Sequence, residues 1–283
     1  MGAVRHSGVV RPEITPETID AYRRDGAVVV RGAFTAEDLA LAEAGIETVL
    51  GGLGPTAKRA SAAEDGAFVE DFCRWQDVRA LERFARTGPA AAIAGALTGS
   101  SAIRLYHDHV LVKEAGTRQR TPWHQDLPYY NIEGTQQTSL WLPVDPVPLE
   151  ASLQVVAGSH RGPMYLPRTF LDGKAKWFPE GTLADLPDIE GDPDRFLVRA
   201  WALEPGDAVF FDMLALHGAP GFPGPGRRRV LSLRFVGDDV VHTPRPWVTS
   251  PPFPGLADEL PADAPLDHPL FPVLWTAPVG TTR

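Results

Sequence analysis

From Ile103 onward the chain gives up helical spacing for short β-rich runs separated by Pro and Gly, the pattern of a jelly roll or barrel. Strands are expected at Ile103 to Lys113, around His124, and at Thr138 to Val144, Leu153 to Val156, Arg199 to Leu203, Ala208 to Asp212 and Arg229 to Val236. The preceding hundred residues read differently. Thr15-Pro16-Glu17 puts a hydroxyl at the cap, a proline in the first turn and an acid at the positive end of a helix that stops at Asp25-Gly26. Ala27 to Val30 forms a short apolar strand, and Thr35 with Asp38 starts a second helix, which runs to about Leu50. Val78 to Leu97 is helical with a break near Gly88-Pro89. These helices are expected to cover a sheet.

Within the β region, Trp123-His124-Gln125-Asp126 is answered far downstream by Leu216-His217-Gly218. On an extended strand His124 and Asp126 would project together while Gln125 points away. Two imidazoles and one carboxylate are the donor set of a site that holds ferrous iron and leaves coordination positions open for chemistry. An HxD pair alone is weak support, because such pairs arise by chance. The context strengthens it: a Gly- and Pro-rich loop follows His217, and the strand after that loop opens on Arg227-Arg228-Arg229. Along it, Arg228, Val230, Ser232 and Arg234 share one face, and Arg229, Leu231, Leu233 and Phe235 the other. The aliphatic face suits packing against helices, and the mixed face suits a polar interior.

With these residues in place, the chain resembles the phytanoyl-CoA dioxygenase family of Fe(II)- and 2-oxoglutarate-dependent oxygenases. Further matching segments are Leu111-Val112-Lys113-Glu114, Ser139-Leu140-Trp141-Leu142-Pro143 and Leu153 to His160, so that the resemblance runs from about Thr15 to about Asp239. It implies a mostly β fold with covering helices and a double-stranded β-helix (jelly roll, cupin-like) core. It also implies Fe(II) on His124, Asp126 and His217, with 2-oxoglutarate and dioxygen as co-substrates. Arg228, eleven positions after His217, corresponds to the arginine that holds the far carboxylate of the oxo acid. Arginine suits that task through its rigid two-pronged donor geometry. Lys113 aligns with a lysine that often contacts the oxo acid, or is simply an exposed lysine. Trp141 either walls the cofactor pocket or belongs to the core. The resemblance implies hydroxylation of a small molecule, and Asp126 argues against halogenation, since related halogenases lack the carboxylate ligand. A jelly-roll binding protein without activity is the alternative.

Other residues keep two readings. His107 and His109 form a rival HxH pair, with His109 better placed as a pocket side chain in contact with substrate and His107 as a structural group. His160 sits in a turn and suggests a local hydrogen-bonding role. Arg227 and Arg229 read as surface charge. The stretch from Arg161 to Asp194 lacks periodicity and is either a lid, in which Trp177 and Phe178 cover the substrate and Lys174 and Lys176 line the rim, or a surface excursion. Residues 244 to 283 contain ten prolines, but Trp247, Phe253, Phe271 and Trp275 suggest a packed strap rather than disorder.

At 283 residues and 43% hydrophobic content the chain can bury one large core, so a single domain is expected, with a helical cover at about 15–100, a jelly-roll core at about 101–240 and the strap at 244–283. A net charge of -9 argues against a nucleic-acid groove. Anionic co-substrates must therefore be met by local arginines. Cys73 is the only cysteine, which rules out an internal disulfide. No apolar run suits a signal peptide or membrane span, so a cytoplasmic protein acting on a small molecule is expected.

Overall fold

The computed structural model describes residues 13–167, 181–222 and 224–278. The first part of the chain holds α1 (Pro16–Asp25), β1 (Ala27–Val30), α2 (Ala36–Gly51), β2 (Lys58–Arg59), β3 (Phe68–Phe72), α3 (Arg79–Thr87) and α4 (Ala90–Thr98). The strands that follow are β4 (Ala102–Lys113), β5 (Thr121–His124), β6 (Ile132–Glu133), β7 (Gln137–Pro143), β8 (Gln154–Val156) and β9 (Val198–Ala200). The last are β10 (Ala208–Phe211), β11 (His217–Ala219), β12 (Arg228–Val236), β13 (Val241–His242), α5 (Leu256–Glu259) and β14 (Val273–Thr276).

Both early helices start where their caps predict. The Thr15 hydroxyl accepts from the Thr18 amide at 3.3 Å. Thr35 and Asp38 form a reciprocal capping box, with each side chain bonding the other's backbone amide. Gly45 lets α2 and α3 approach closely, because a Cβ there would lie 2.3 Å from Leu81 Cδ2.

The strands make two principal antiparallel sheets, as a double-stranded β-helix requires. The larger runs β1-β10-β7-β12-β4-β3-β2, with β14 also paired to β4, and the smaller runs β5-β11-β8-β9. Alternation along β12 decides what each face of the larger sheet touches. Leu231, Leu233 and Phe235 join Ile46, Val49, Phe84 and Leu97 of the helices in one buried cluster. Full burial of such side chains contributes about 1.5–3 kcal/mol each. On the opposite face Val230 packs with Trp141, Val155 and Phe211 between the sheets. The two faces predicted from parity are the two observed.

Phe68–Phe72 was not predicted as a strand, although it pairs with β4 from Phe68↔Lys113 to Phe72↔His109 and walls the interior. The Pro-rich C-terminal segment crosses one end of the larger sheet. Its Leu256, Leu260 and Phe271 are buried with Tyr106 and Tyr130, and β14 pairs with the start of β4. Trp275 rests on α4 at Gly95, where a Cβ would fall 2.3 Å from the indole.

In the Arg161 to Asp194 stretch, Leu186 and Ile189 pack with Val156 and Trp123 of the smaller sheet and with Leu216, just before β11. Lys174, Lys176, Trp177 and Phe178, the residues expected in a lid, lie outside the described residues. No described helix is long and apolar enough to cross a membrane.

Candidate metal centre

His124 ends β5, His217 begins β11, and the two are register partners across the antiparallel pair. Their rings lie 4.2 Å apart between centroids. Each Nδ1 lies within hydrogen-bonding distance of a backbone carbonyl two residues upstream, His124 to Pro122 at 2.8 Å and His217 to Ala215 at 2.9 Å. A carbonyl can only accept, so both Nδ1 atoms carry the proton. Nε2 is then the lone-pair nitrogen of each ring, the form in which an imidazole binds a metal.

Asp126 completes the set by a route that differs from the expectation. The strand stops at His124, and Asp126 has helical backbone angles, φ -77° and ψ -44°, at the head of a short 3-10 turn over Leu127–Tyr129. It therefore meets the imidazoles through a turn rather than through strand alternation. The amides of Asp126 and Leu127 both donate to the Met213 carbonyl, at 2.8 and 3.0 Å, tying that turn to the segment leading into His217. Gln125 does point away, and its amide bonds the Leu214 and Pro163 carbonyls and the Tyr165 amide.

Asp126 Oδ1 lies 3.8 Å from His124 Nε2 and 3.7 Å from His217 Nε2. All three donor atoms fall within 4.8 Å of one another, a spacing suited to one divalent ion. Burial alone would raise the Asp126 carboxyl, but Arg234, then His217 and His124, outweigh it and hold the group well below the usual carboxylate range. Burial, followed by His124, pushes His217 down to about 3, so it is neutral as a ligand must be. The donor set fits ferrous iron.

Arg234 is the main residue that sequence reasoning missed. It lies 3.1 Å from Asp126 Oδ2, and its Nε donates to the Tyr130 hydroxyl at 3.1 Å. Ser139 donates to the same carboxylate oxygen at 2.7 Å. Together they fix the carboxylate's orientation, the kind of outer support on which metal affinity depends. The available signal was parity, which already placed Arg234 on the inner face.

A cavity of about 890 Å³, mouth included, opens at this centre. Arg228 lies in its wall, only 4% exposed. The guanidinium sits 5.5 Å over the Trp141 ring and donates to the Ala151 carbonyl. Among the described residues no carboxylate pairs with it, and burial lowers it to about 10. Arg229 faces the other way into Asp145, Glu43 and Glu47, and Arg227 reaches Glu47 and Glu114.

Lys113 also lines the cavity and is buried, not exposed. Its Nζ is surrounded by the carbonyls of Gln119, Pro220 and Ala219 at 2.8, 2.9 and 3.4 Å. Burial, then Arg228, lowers its pKa, whereas three acceptors around one nitrogen favour the ammonium. It clasps the loop after His217 to β4. His109 lines the cavity beside Glu70, and His107, expected to be only structural, lines it too. Trp177 lies outside the described residues. His160 braces a distant part of the chain instead of its own turn, with Nε2 at 3.2 Å from the Arg23 carbonyl.

The family model of phytanoyl-CoA dioxygenase (PhyH) matches residues 22–230. The ectoine dioxygenase of Stutzerimonas stutzeri (strain A1501) is 24% identical over 279 aligned positions, gaps included, covering 93% of this chain and 90% of that protein. Among solved structures, the non-heme alpha-ketoglutarate dependent carbocyclase SnoK from nogalamycin biosynthesis superposes with a TM-score of 0.73 at 22% identity, covering 92% of this chain and 96% of that one. The epimerase SnoN, in complex with Fe3+, alpha ketoglutarate and nogalamycin RO, gives 0.72 at 23% identity, covering 92% and 98%. The family match spans most of the chain and contains the two histidines, the aspartate and the arginine just described: this protein belongs to the phytanoyl-CoA dioxygenase family.

Proposed function

We propose that the protein is an Fe(II)- and 2-oxoglutarate-dependent dioxygenase that hydroxylates an unactivated C–H bond of a small-molecule metabolite and releases succinate and CO2. The observation that carries this reading is that a three-donor centre shares one cavity with a buried arginine that has no carboxylate partner among the described residues. His124, Asp126 and His217 would hold the iron, which with 2-oxoglutarate and dioxygen supplies the oxidising chemistry.

The chain's own residues do the rest. Arg228 meets the far carboxylate of the oxo acid with a forked, charge-assisted contact, and Trp141 holds the guanidinium plane from beneath. A buried cation without an anion is costly, and a carboxylate brought to Arg228 offsets that cost. Arg234 and Ser139 keep Asp126 ionised and oriented. Tyr129, Tyr130, Phe68 and Phe72 line the cavity and exclude bulk water from it.

The matched ectoine dioxygenase and the nogalamycin-pathway proteins support a small organic substrate by likeness. The deciding experiment screens a metabolite library with anaerobically loaded enzyme, then oxygen, and scores succinate release together with a mass gain of one oxygen on a library compound. Failure to bind Fe(II) and 2-oxoglutarate would sink the reading.

A further inference from the structure

The inner face of β12 meets the inner face of β4 in successive register pairs: Arg228 with Lys113, Val230 with Leu111, Ser232 with His109, and Arg234 with His107. At the first pair the cavity wall offers two cations. At the other end it offers acceptors. The Nδ1 of His107 donates to the Asp108 carbonyl at 3.0 Å, which leaves Nε2 as a lone pair. That nitrogen is buried and has no hydrogen-bond partner among the described residues, and the residue lines the cavity. His109 Nε2, also buried, faces Glu70 Oε1 at 3.4 Å, and the Glu70 carboxylate, an acceptor, lines the same wall. Burial, then Arg234, pushes His107 well below its ordinary range, so that ring is neutral, and burial lowers His109 against the opposing pull of Glu70.

A buried acceptor without a donor is costly unless something enters to satisfy it. His107 stands opposite Arg234, the residue that holds Asp126, so a group bound to it lies beside the metal centre. Tyr130 packs edge-on against His107 and Phe72 edge-on against His109, each with ring centroids 5.2 Å apart, so the same wall sets apolar rings beside its acceptors.

We propose that the wall formed by His107, His109 and Glu70 is the substrate-recognition subsite, and that it selects a compact ring carrying hydrogen-bond donors, hydroxyl or amine. This rests on the oxygenase reading above and gives that site its substrate class. A bare acyl chain offers no donor and would leave His107 Nε2 unsatisfied, which is how a polar pocket rejects an isostere lacking the polar group.

The test uses enzyme loaded anaerobically with Fe(II) and 2-oxoglutarate, with both ligands quantified by equilibrium dialysis. Ligand-observed NMR then gives affinities for 1,4-cyclohexanediol, 4-aminocyclohexanol and 1,4-dimethoxycyclohexane. The two donor rings should bind about three- to tenfold tighter than the capped ring, the worth of one net hydrogen bond. His107→Leu should erase the difference, while His107→Gln, whose amide oxygen accepts, should keep most of it. Glu70→Gln should reduce the preference for the amine more than that for the diol. If His107→Leu fails to fold, the Gln variants still decide the matter. Wild-type enzyme that holds both co-substrates but binds the three rings alike, or none of them, overturns the subsite and leaves the oxygenase reading standing. The same holds if His107→Leu keeps the preference. Enzyme that does not bind 2-oxoglutarate overturns both.

Discussion

Arg234 and Ser139 face each other as register partners on neighbouring strands, and both bind the one carboxylate of Asp126. The larger sheet thus holds the acid that serves the two histidines of the smaller sheet. Replacing Arg234 by Leu leaves that acid buried without its cation. Iron affinity, measured by chelator competition, should fall about 10–100-fold. The metal-free protein should lose about 3–5 kcal/mol in urea unfolding. Unchanged values in both measurements would show that Ser139 alone orients the carboxylate.

His217→Ala should abolish stoichiometric Fe(II) binding in anaerobic titration while leaving the far-ultraviolet circular dichroism intact, because the ring fills a wall position rather than the helix-backed core. Asp126→Ala should do the same to activity. Normal iron binding by the His217 variant contradicts the assignment.

Arg228→Lys should raise the dissociation constant for 2-oxoglutarate by at least about tenfold, since a point charge cannot reproduce a two-pronged contact. Arg229→Lys should leave that constant nearly unchanged, because Arg229 is occupied by Asp145, Glu43 and Glu47 on the outer face. Calorimetric titration of both variants distinguishes the two faces.

Asp212 supplies a pH dependence away from the metal centre. Burial raises its carboxyl from 3.8 to about 6, against the opposing pull of the Leu214 amide and Gln137. The folded state therefore holds the proton more tightly between those values. This group's contribution to stability is fully present below pH 3.8 and is lost as pH rises through about 6. Asp212→Asn should gain stability relative to wild type across that window, as read from urea midpoints at a series of pH values. A constant difference would show that Asp212 titrates normally.

Gly95→Ala should lower the melting temperature, at a cost of about 1–3 kcal/mol, because the added methyl meets the Trp275 ring. A second substitution, Trp275→Leu, should recover part of the loss if the strap is what the methyl displaces.

Much of this was legible in the sequence for definable reasons. Cap chemistry at Thr15 and Thr35 is local, so those helix starts could be read directly. The two faces of β12 follow from strict alternation along an uninterrupted strand. The turn at Asp126 was not legible, because a strand end is decided by the Met213 carbonyl, contributed from far along the chain. Nor was β3, whose pairing belongs to β4. The sequence left Lys113 between an oxo-acid contact and an exposed lysine, because three carbonyls converging from separate loops leave no mark in a sequence. Arg234 lay on the correct face, but its partner could be named only once the fold brought Asp126 to it.

The alternation along β12 also fixes where this gene can change length. Past Pro220, which Lys113 holds, and Phe222, which bridges to Thr117, the exposed tip at Pro225 and Gly226 of the loop before β12 can gain or lose residues and still deliver the same strand. A single codon inserted after Arg228 has no such freedom. Each residue beyond it would exchange sides, turning leucines into the polar cavity and Arg234 toward the helices. Natural and engineered diversity should therefore gather at that tip, with β12 itself kept at constant length.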